Sequence, residues 1–404
     1  MPEQVVRQRS RGFICVNAHP LGCAQVVESQ IANTRRAMEG TKAADLRNVL
    51  VIGASTGYGL ATRIAAGWGL GCRTLGVFLE KPPARRRTAS AGYYNSVALH
   101  AAASRDGMWA RSVNGDAFSD GVKDAVCRIV AGDMGGQVDL VVYSVAAPKR
   151  SNPRTGTVHT SSLKPIGQSY SGKTIDLGRS SVTNATVPPA RQTEINDTVA
   201  VMGGQDWRWW IEALLARGLL AAGARTVSYS YEGPELTWPI YKHGTIGAAK
   251  RHLRATADQL NRMLADRVGG GAWISVNKAV VTQASSAIPV VPLYVSLLFR
   301  VMKSIGLHES CIDQANRLFA GHLCRPGGPR VDSRRMIRLD DLEMREEVQA
   351  AVSESWPRVD TESLNDLTDF AGFRRDFNQL FGFDVPGVDY SKPVETQLTV
   401  PAVR

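Results

Sequence analysis

Short apolar runs alternate with helical periods along most of the chain. Residues 49–52 form an unbroken apolar run, the pattern of a central parallel strand buried on both faces. Further strands are predicted over 74–79, 110–113, 138–143, 226–231 and 273–281. Helical periods fall between them. Leu60, Ile64, Ala65 and Trp68 mark one inward stripe, and 94–104 and 120–131 carry others. Over 192–220 an aromatic face of Trp207, Trp209, Trp210, Ile211 and Leu214 reads as core packing, and 288–305 reads as an apolar helix after a proline. Strands alternating with helices at this interval predict an α/β fold, a Rossmann-like doubly wound parallel sheet with right-handed crossovers. We expect one enlarged domain over 1–404. It would carry an N-terminal extension (1–46) with a short strand at 11–14, a substrate-side insertion (149–240) and a helical tail (330–404) with Phe370, Phe373, Phe377, Phe381 and Phe383 docked on the core.

The longest clean helical stripe is Ile246, Leu253, Ala257, Leu260 and Leu264. Lys250 falls on that apolar face, while Arg251, Arg254 and Arg262 fall off it. A lysine on an inward stripe must snorkel, find a partner or have a task. Tyr241 lies nine residues earlier. On one continuous helix that spacing turns through roughly 900° and points the two side chains apart. They converge only if the helix begins after Tyr241. His243-Gly244-Thr245 offers such a start, with Thr245 as the expected N-cap.

Composition bounds the partners. A chain of 404 residues with 44% hydrophobic and 21% charged residues has material for a large core. The net charge of +11 is spread along the chain, which favours steering of an acidic or phosphate-bearing partner over nucleic-acid binding. Cys15, His19 and Cys23 are spaced like metal ligands but lack a nearby fourth, so we read them as packing and expect no metal. No apolar h-region follows the charged N-terminus. The apolar stretch 287–299 is short and carries Pro289 and Pro292, so no membrane span is expected. With no CxxC pair among six scattered cysteines, a cytoplasmic protein is expected.

The first strand leads into Gly53, Gly57 and Gly59 and then a helix. That is the order a dinucleotide site needs, although the spacing is G-x3-G-x-G. Glu80 ends the second strand, where an acid accepts hydrogen bonds from both ribose hydroxyls and repels a 2′-phosphate, favouring NADH. Arg85, Arg86 and Arg87 follow and read as a solvated loop. Asp116 follows the third strand, where adenine commonly lies. A nicotinamide cofactor with a Tyr–Lys pair makes a reductase constellation: the phenol donates where negative charge develops, and the cation holds the cofactor. No tyrosine has a lysine four residues later, which excludes the Tyr-x3-Lys arrangement of short-chain dehydrogenases.

The segments RGFICVNAHPLGC, VLVIGASTGYGLA, GVFLEKP, NGDAFSD, QVDLVVYSVAAP, VMGGQDW, SYEGPELTWPIYKHGTIGAAK, VTQASSAIPVVPLY and LDDLEMREEVQ together resemble the FabV-type family of NADH-dependent enoyl-ACP / trans-2-enoyl-CoA reductases. The resemblance spans almost the whole chain. It implies Tyr241 as proton donor, Lys250 as catalytic and cofactor-contacting lysine, and Tyr231 as the substrate-side tyrosine that can add to Tyr241. It implies cofactor contacts at Gly53, Ala54, Ser55, Thr56, Gly57, Tyr58, Leu79, Glu80, Asp116, Ala117, Val145, Ala146, Val280, Val281 and Thr282. The implied substrate is a trans-2-enoyl thioester on acyl carrier protein or CoA, reduced by NADH at its C2=C3 bond. The implied assembly is a monomer. SVAAP stands where the family more often has SLASP, and the three arginines stand where lysine and glycine are usual. A carbonyl reductase on the same scaffold and a non-catalytic NAD-binding regulator are the rival readings.

Overall fold

The computed structural model of the protein describes residues 3–11, 14–43, 45–85, 87–283, 285 and 288–403. Its centre is a parallel sheet of β1 (Asn48–Ile52), β2 (Arg73–Phe78), β3 (Ala110–Asn114), β4 (Val138–Tyr143), β5 (Leu220–Ser230), β6 (Gly271–Val276), β7 (Met336–Arg338) and the two-residue β8 (Ala402–Val403). The strands stand in the order β7-β6-β5-β4-β1-β2-β3-β8. The chain therefore winds outward from β1 to β3, returns to β4 beside β1, and winds outward the other way. The crevice above the strand ends at this reversal is where such sheets take ligands.

The apolar runs are unbroken because both faces of the sheet are covered. Val49, Val51, Leu140 and Val142 face α1 (Pro20–Ala37), α2 (Gly57–Ile64) and α3 (Ala91–Arg105), together with α9 (Cys311–Leu318) further along the chain. Leu50, Ile52, Leu75, Val77 and Val141 face α4 (Asp120–Gly132), α6 (Gln205–Leu215) and α7 (Thr245–Val268). α5 (Gln192–Met202) packs against α7. A third cluster gathers α8 (Val291–Ser304), α10 (Glu346–Ser355) and the helix Phe370–Gln379, and it contains all five predicted phenylalanines.

Several expectations are adjusted. The predicted helix over 192–220 is two helices, interrupted at Gly203-Gly204, where the Gly204 N–H donates to His252 Nδ1 of α7 (3.0 Å). Trp207 and Trp210 are fully buried, as their stripe implied. The predicted strand over 273–281 ends at Val276, because Lys278 and its neighbours turn into a polar network behind the cleft. β7 and β8 escaped prediction. Of the strand expected at 11–14, Gly12 and Phe13 lie outside the described residues; Ser10–Arg11 pairs antiparallel with Ile14–Cys15. His19 caps α1, its Nδ1 accepting from the Gly22 N–H (3.2 Å). Residues 149–192 hold two antiparallel hairpins, Lys149–Ser151 with Val158–Thr160 and Tyr170–Asp176 with Ser181–Val187. Among the described residues no helix is long and apolar enough to cross a membrane.

One ion pair is fully inside. Lys123 Nζ lies 2.8 Å from Asp206 Oδ1, and the Tyr143 hydroxyl donates to Asp206 Oδ2 (3.1 Å). Removing one partner strands a buried charge, at a cost of about 3–5 kcal/mol. Lys123→Met should therefore lower the urea midpoint sharply, and adding Asp206→Leu should recover most of that loss. A single variant as stable as the parent would contradict this.

Candidate functional site

A cleft of about 660 Å³ opens along the C-terminal ends of β1, β2, β4, β5 and β6. Its size is in the range of pockets for organic ligands. Gly53, Ser55, Thr56, Gly57 and Tyr58 form its floor at the turn from β1 into α2. Gly53 has φ +87°, and a Cβ there would sit 2.3 Å from the Ser144 carbonyl oxygen. Only glycine allows β1 to turn this close to β4. The Gly53 and Ala54 amides are taken by the Val77 carbonyl (2.9 and 3.0 Å). That leaves the first-turn amides of α2, which lack intrahelical partners and carry the positive end of the dipole, for an anionic group.

Leu79 and Glu80 follow β2. Leu79 is 71% exposed and lines the cleft. Asn114 holds Glu80 by its backbone, accepting from the Glu80 N–H (2.9 Å) and donating to its carbonyl (3.0 Å). The Glu80 carboxylate accepts from Ser55 Oγ (2.7 Å) and leans on Gly92, where a Cβ would fall 2.0 Å from it. Burial pushes this carboxyl up, and hydrogen bonds from Ser90 and Ser55 oppose the shift. Asp116, Ala117, Val145 and Ala146 line the same cleft, as do Val280 and Thr282. Ala54 and Val281 do not: Ala54 is fully buried and Val281 belongs to the apolar cluster under α8. Tyr58 turns its hydroxyl away from the cleft, to Gln314 Oε1 and the Lys278 carbonyl (2.9 Å each). Arg85 and Arg87 are exposed and do not line the cleft, and Arg86 lies outside the described residues.

Tyr241 stands on a loop tied by a short 3-10 turn, Glu235–Thr237, with its N–H donating to the Thr237 carbonyl (3.0 Å). α7 begins at Thr245, so Tyr241 is outside the helix, as convergence requires. Gly244 rather than Thr245 is the N-cap. The Thr245 hydroxyl is drawn off to the Ser162 carbonyl, and its N–H donates to the Lys164 carbonyl (2.9 Å). The insertion thus fixes where α7 starts. Tyr241 and Lys250 line one cleft. Lys250 Nζ donates to the Tyr229 carbonyl (3.3 Å), and burial lowers its pKa to about 8. Burial raises the Tyr241 pKa, so the phenol is protonated at neutral pH. Tyr231 crosses Tyr241 edge-on, with ring centroids 4.9 Å apart at 76°.

Sequence reasoning missed what lies behind Tyr231. Its hydroxyl donates to Glu343 (2.9 Å), a fully buried carboxylate contributed by the turn after β7. Lys278, 2% exposed, is the other ion buried there. A lysine within an apolar run and an acid inside LDDLEMREEVQ were the available signals, but neither revealed its partners.

Comparison with known proteins agrees with this geometry. The family described as the trans-2-enoyl-CoA reductase catalytic region matches residues 87–324. The NAD(P)H-binding domain of trans-2-enoyl-CoA reductase matches 5–85, and an enoyl reductase FAD-binding domain matches 331–394. An enoyl-[acyl-carrier-protein] reductase [NADH] of Opitutus terrae is 52% identical over 98% of this chain and 99% of its own length. One from Flavobacterium johnsoniae is 50% identical over 99% and 100%. The trans-2-enoyl-CoA reductase of Treponema denticola, solved with NAD, superposes with a TM-score of 0.93 at 44% identity, covering 99% of this chain and 100% of that one. The Clostridium acetobutulicum enzyme, solved with NADH, gives 0.94 at 38% identity with the same coverage.

The cleft fits a nicotinamide dinucleotide: a tight glycine turn, a helix N-terminus and an acid ending the second strand. Residues 331–394 do not fit a flavin. Their phenylalanines Phe370, Phe373 and Phe377 are buried in the core, and the hollow beside that helix holds only about 280 Å³.

Proposed function

The chain belongs to the NADH-dependent trans-2-enoyl-CoA / enoyl-[acyl-carrier-protein] reductase family, and on that premise we propose that Tyr241 and Lys250 carry out its reduction of the C2=C3 bond of trans-2-enoyl thioesters. The observation that carries this reading is the convergence of a loop tyrosine and a helix lysine on one cleft at the strand reversal. NADH, when bound, supplies the hydride for C3. The π electrons then pass toward the thioester oxygen, where the Tyr241 hydroxyl transfers its proton to the developing enolate. The enol takes a proton from water at C2 and returns its O–H proton through water to the Tyr241 phenolate, which completes the acyl thioester. Lys250 has two further N–H donors beyond its bond to Tyr229 and lines the cleft, where they are available to the cofactor. Gly53, Ser55, Thr56, Gly57, Asp116, Ala117, Val145, Ala146, Val280 and Thr282 form the cofactor wall; Ala54 and Val281 contribute only behind it.

The chain works as one enlarged domain, its sheet drawing residues from 48 to 403. A monomer is the assembly that the family resemblance implies. A carrier-protein or CoA thioester suits a chain of net charge +11, because both partners are anionic. Six free cysteines support a cytoplasmic setting, and the names of the curated relatives support a role in fatty-acid synthesis.

The test is loss of NADH absorbance with crotonyl-CoA, set against acetoacetyl-CoA. Faster turnover of the ketone would install the carbonyl-reductase reading, and stoichiometric NADH binding without turnover would install the regulator. Cofactor choice is tested at Glu80. A carboxylate there opposes a 2′-phosphate by like-charge contact worth several kcal/mol. Glu80→Ala should raise kcat/KM for NADPH by about 10–100-fold while lowering that for NADH. An unchanged preference would remove Glu80 from the selection.

A further inference from the structure

Glu343 is a fully buried carboxyl group that the mechanism leaves unused. It sits in the turn after β7, in the segment matched by the flavin-binding description. Three donors converge on it. One carboxylate oxygen accepts from the Tyr231 hydroxyl (2.9 Å) and from the Tyr294 hydroxyl of α8 (2.7 Å). The other accepts from the Ala279 N–H (2.6 Å). Gln349 of α10 closes the network, donating to the Tyr294 oxygen (3.2 Å) and to the Glu343 carbonyl (2.7 Å). A buried carboxylate with this many donors holds its neighbours firmly, and each is costly to detach.

Two of those neighbours face the cleft. Tyr231 is the edge against which Tyr241 stands, and Ala279 belongs to the wall that runs on to Thr282. The Tyr241 hydroxyl itself has no protein hydrogen bond among the described residues, so nothing but packing aims it. Tyr231 has one proton and gives it to Glu343, so it is not available as a second donor to the substrate oxygen. The task of Tyr231 is therefore to hold the Tyr241 ring.

Building on the reductase reading, we propose that Glu343 is a positioning residue: through Tyr231 on one carboxylate oxygen and Ala279 on the other, it fixes the direction in which Tyr241 presents its hydroxyl. In this arrangement the C-terminal segment supports the phenol instead of carrying a cofactor. Catalysis is sensitive to such support, because an ångström of misplacement at a reacting group costs about a hundredfold.

The test compares Glu343→Gln, Tyr231→Phe and the double variant in the full-length enzyme, with saturating NADH and crotonyl-CoA. Glutamine keeps an acceptor for the tyrosines but sets an amide against the Ala279 N–H. Glu343→Gln should lower kcat by about tenfold or more while changing the crotonyl-CoA KM less than about threefold. Tyr231→Phe should lower kcat too, and the double variant should lose less than the product of the two single losses, since both loosen one network around the Tyr241 ring. Normal kcat in folded Glu343→Gln, or multiplying effects in the double variant, would overturn the proposal. If Glu343→Gln does not fold, Tyr231→Phe decides alone, because it deletes only the hydroxyl: an unchanged kcat rejects the proposal. An inactive parent enzyme would instead refute the reductase reading on which this rests.

Discussion

Tyr241→Phe should lower kcat for enoyl reduction by about 10²–10⁴-fold, the range for losing a positioned proton donor. Fold and cofactor affinity should survive. The ring keeps its edge-on contact with Tyr231, and no partner is stranded, because the lost hydroxyl has no protein hydrogen bond among the described residues. The effect belongs to the transition state: the enolate oxygen carries more charge there than in the bound thioester, so kcat should fall while the enoyl KM moves little. Steady-state kinetics with thermal unfolding as a control would check this. Wild-type turnover in Tyr241→Phe would take the proton-donor role away from this residue.

The second large effect is at Lys250. Its ammonium is held inside the cleft wall, with one hydrogen bond to the Tyr229 carbonyl and a pKa lowered to about 8 by burial. On the proposed role, Lys250→Met would remove a charge-assisted hydrogen bond to the cofactor, worth about 1.5–3 kcal/mol, and so should weaken NADH affinity by about 10–150-fold. The sign of the pH dependence follows from the charge. The lysine is cationic below its pKa, so in the free enzyme affinity is full below about 8 and falls as pH rises through that value. A bound anionic cofactor favours the cation and shifts the fall upward in the complex. NADH dissociation constants measured by fluorescence from about pH 6.5 to about 9.5 would show the decline in the parent and a flatter profile in Lys250→Met. Lys278, also lowered to about 8 by burial, lines the same cleft and is untouched by that substitution. An equally steep profile in Lys250→Met would show that Lys250 is not the titrating group.

How much was legible depended on how local the signal is. β1, β4, the glycine turn and α2 could be read directly, because an apolar run buried on both faces and a Gly53 forced to positive φ leave marks within a dozen residues. The start of α7 was legible within one residue from the impossibility of joining Tyr241 and Lys250 on one helix. Its cap was misassigned because the Thr245 hydroxyl answers to Ser162, some 80 positions earlier. The break at Gly203-Gly204 had a visible glycine pair that the tryptophan stripe outweighed. β7 was not legible: three residues ending in Arg338 carry no period, and parallel pairing with β6 defines them. Glu343 was legible least. Its partners come from the end of β5, from α8 and from the chain beyond β6, so its meaning exists only in three dimensions.

The position of Glu343 in the chain also bears on the order of synthesis. The sheet from β1 to β6 and both Tyr241 and Lys250 are translated before β7 appears, and the edge strand β8 pairs with β3 only once Ala402 and Val403 have emerged. A nascent chain can bury most of its dinucleotide half early, as N-terminal portions commonly do. The phenol, however, gains its buttress only after Glu343 has emerged. Cofactor binding should thus precede activity during biogenesis, and a prematurely terminated chain would hold NADH without turning over the thioester.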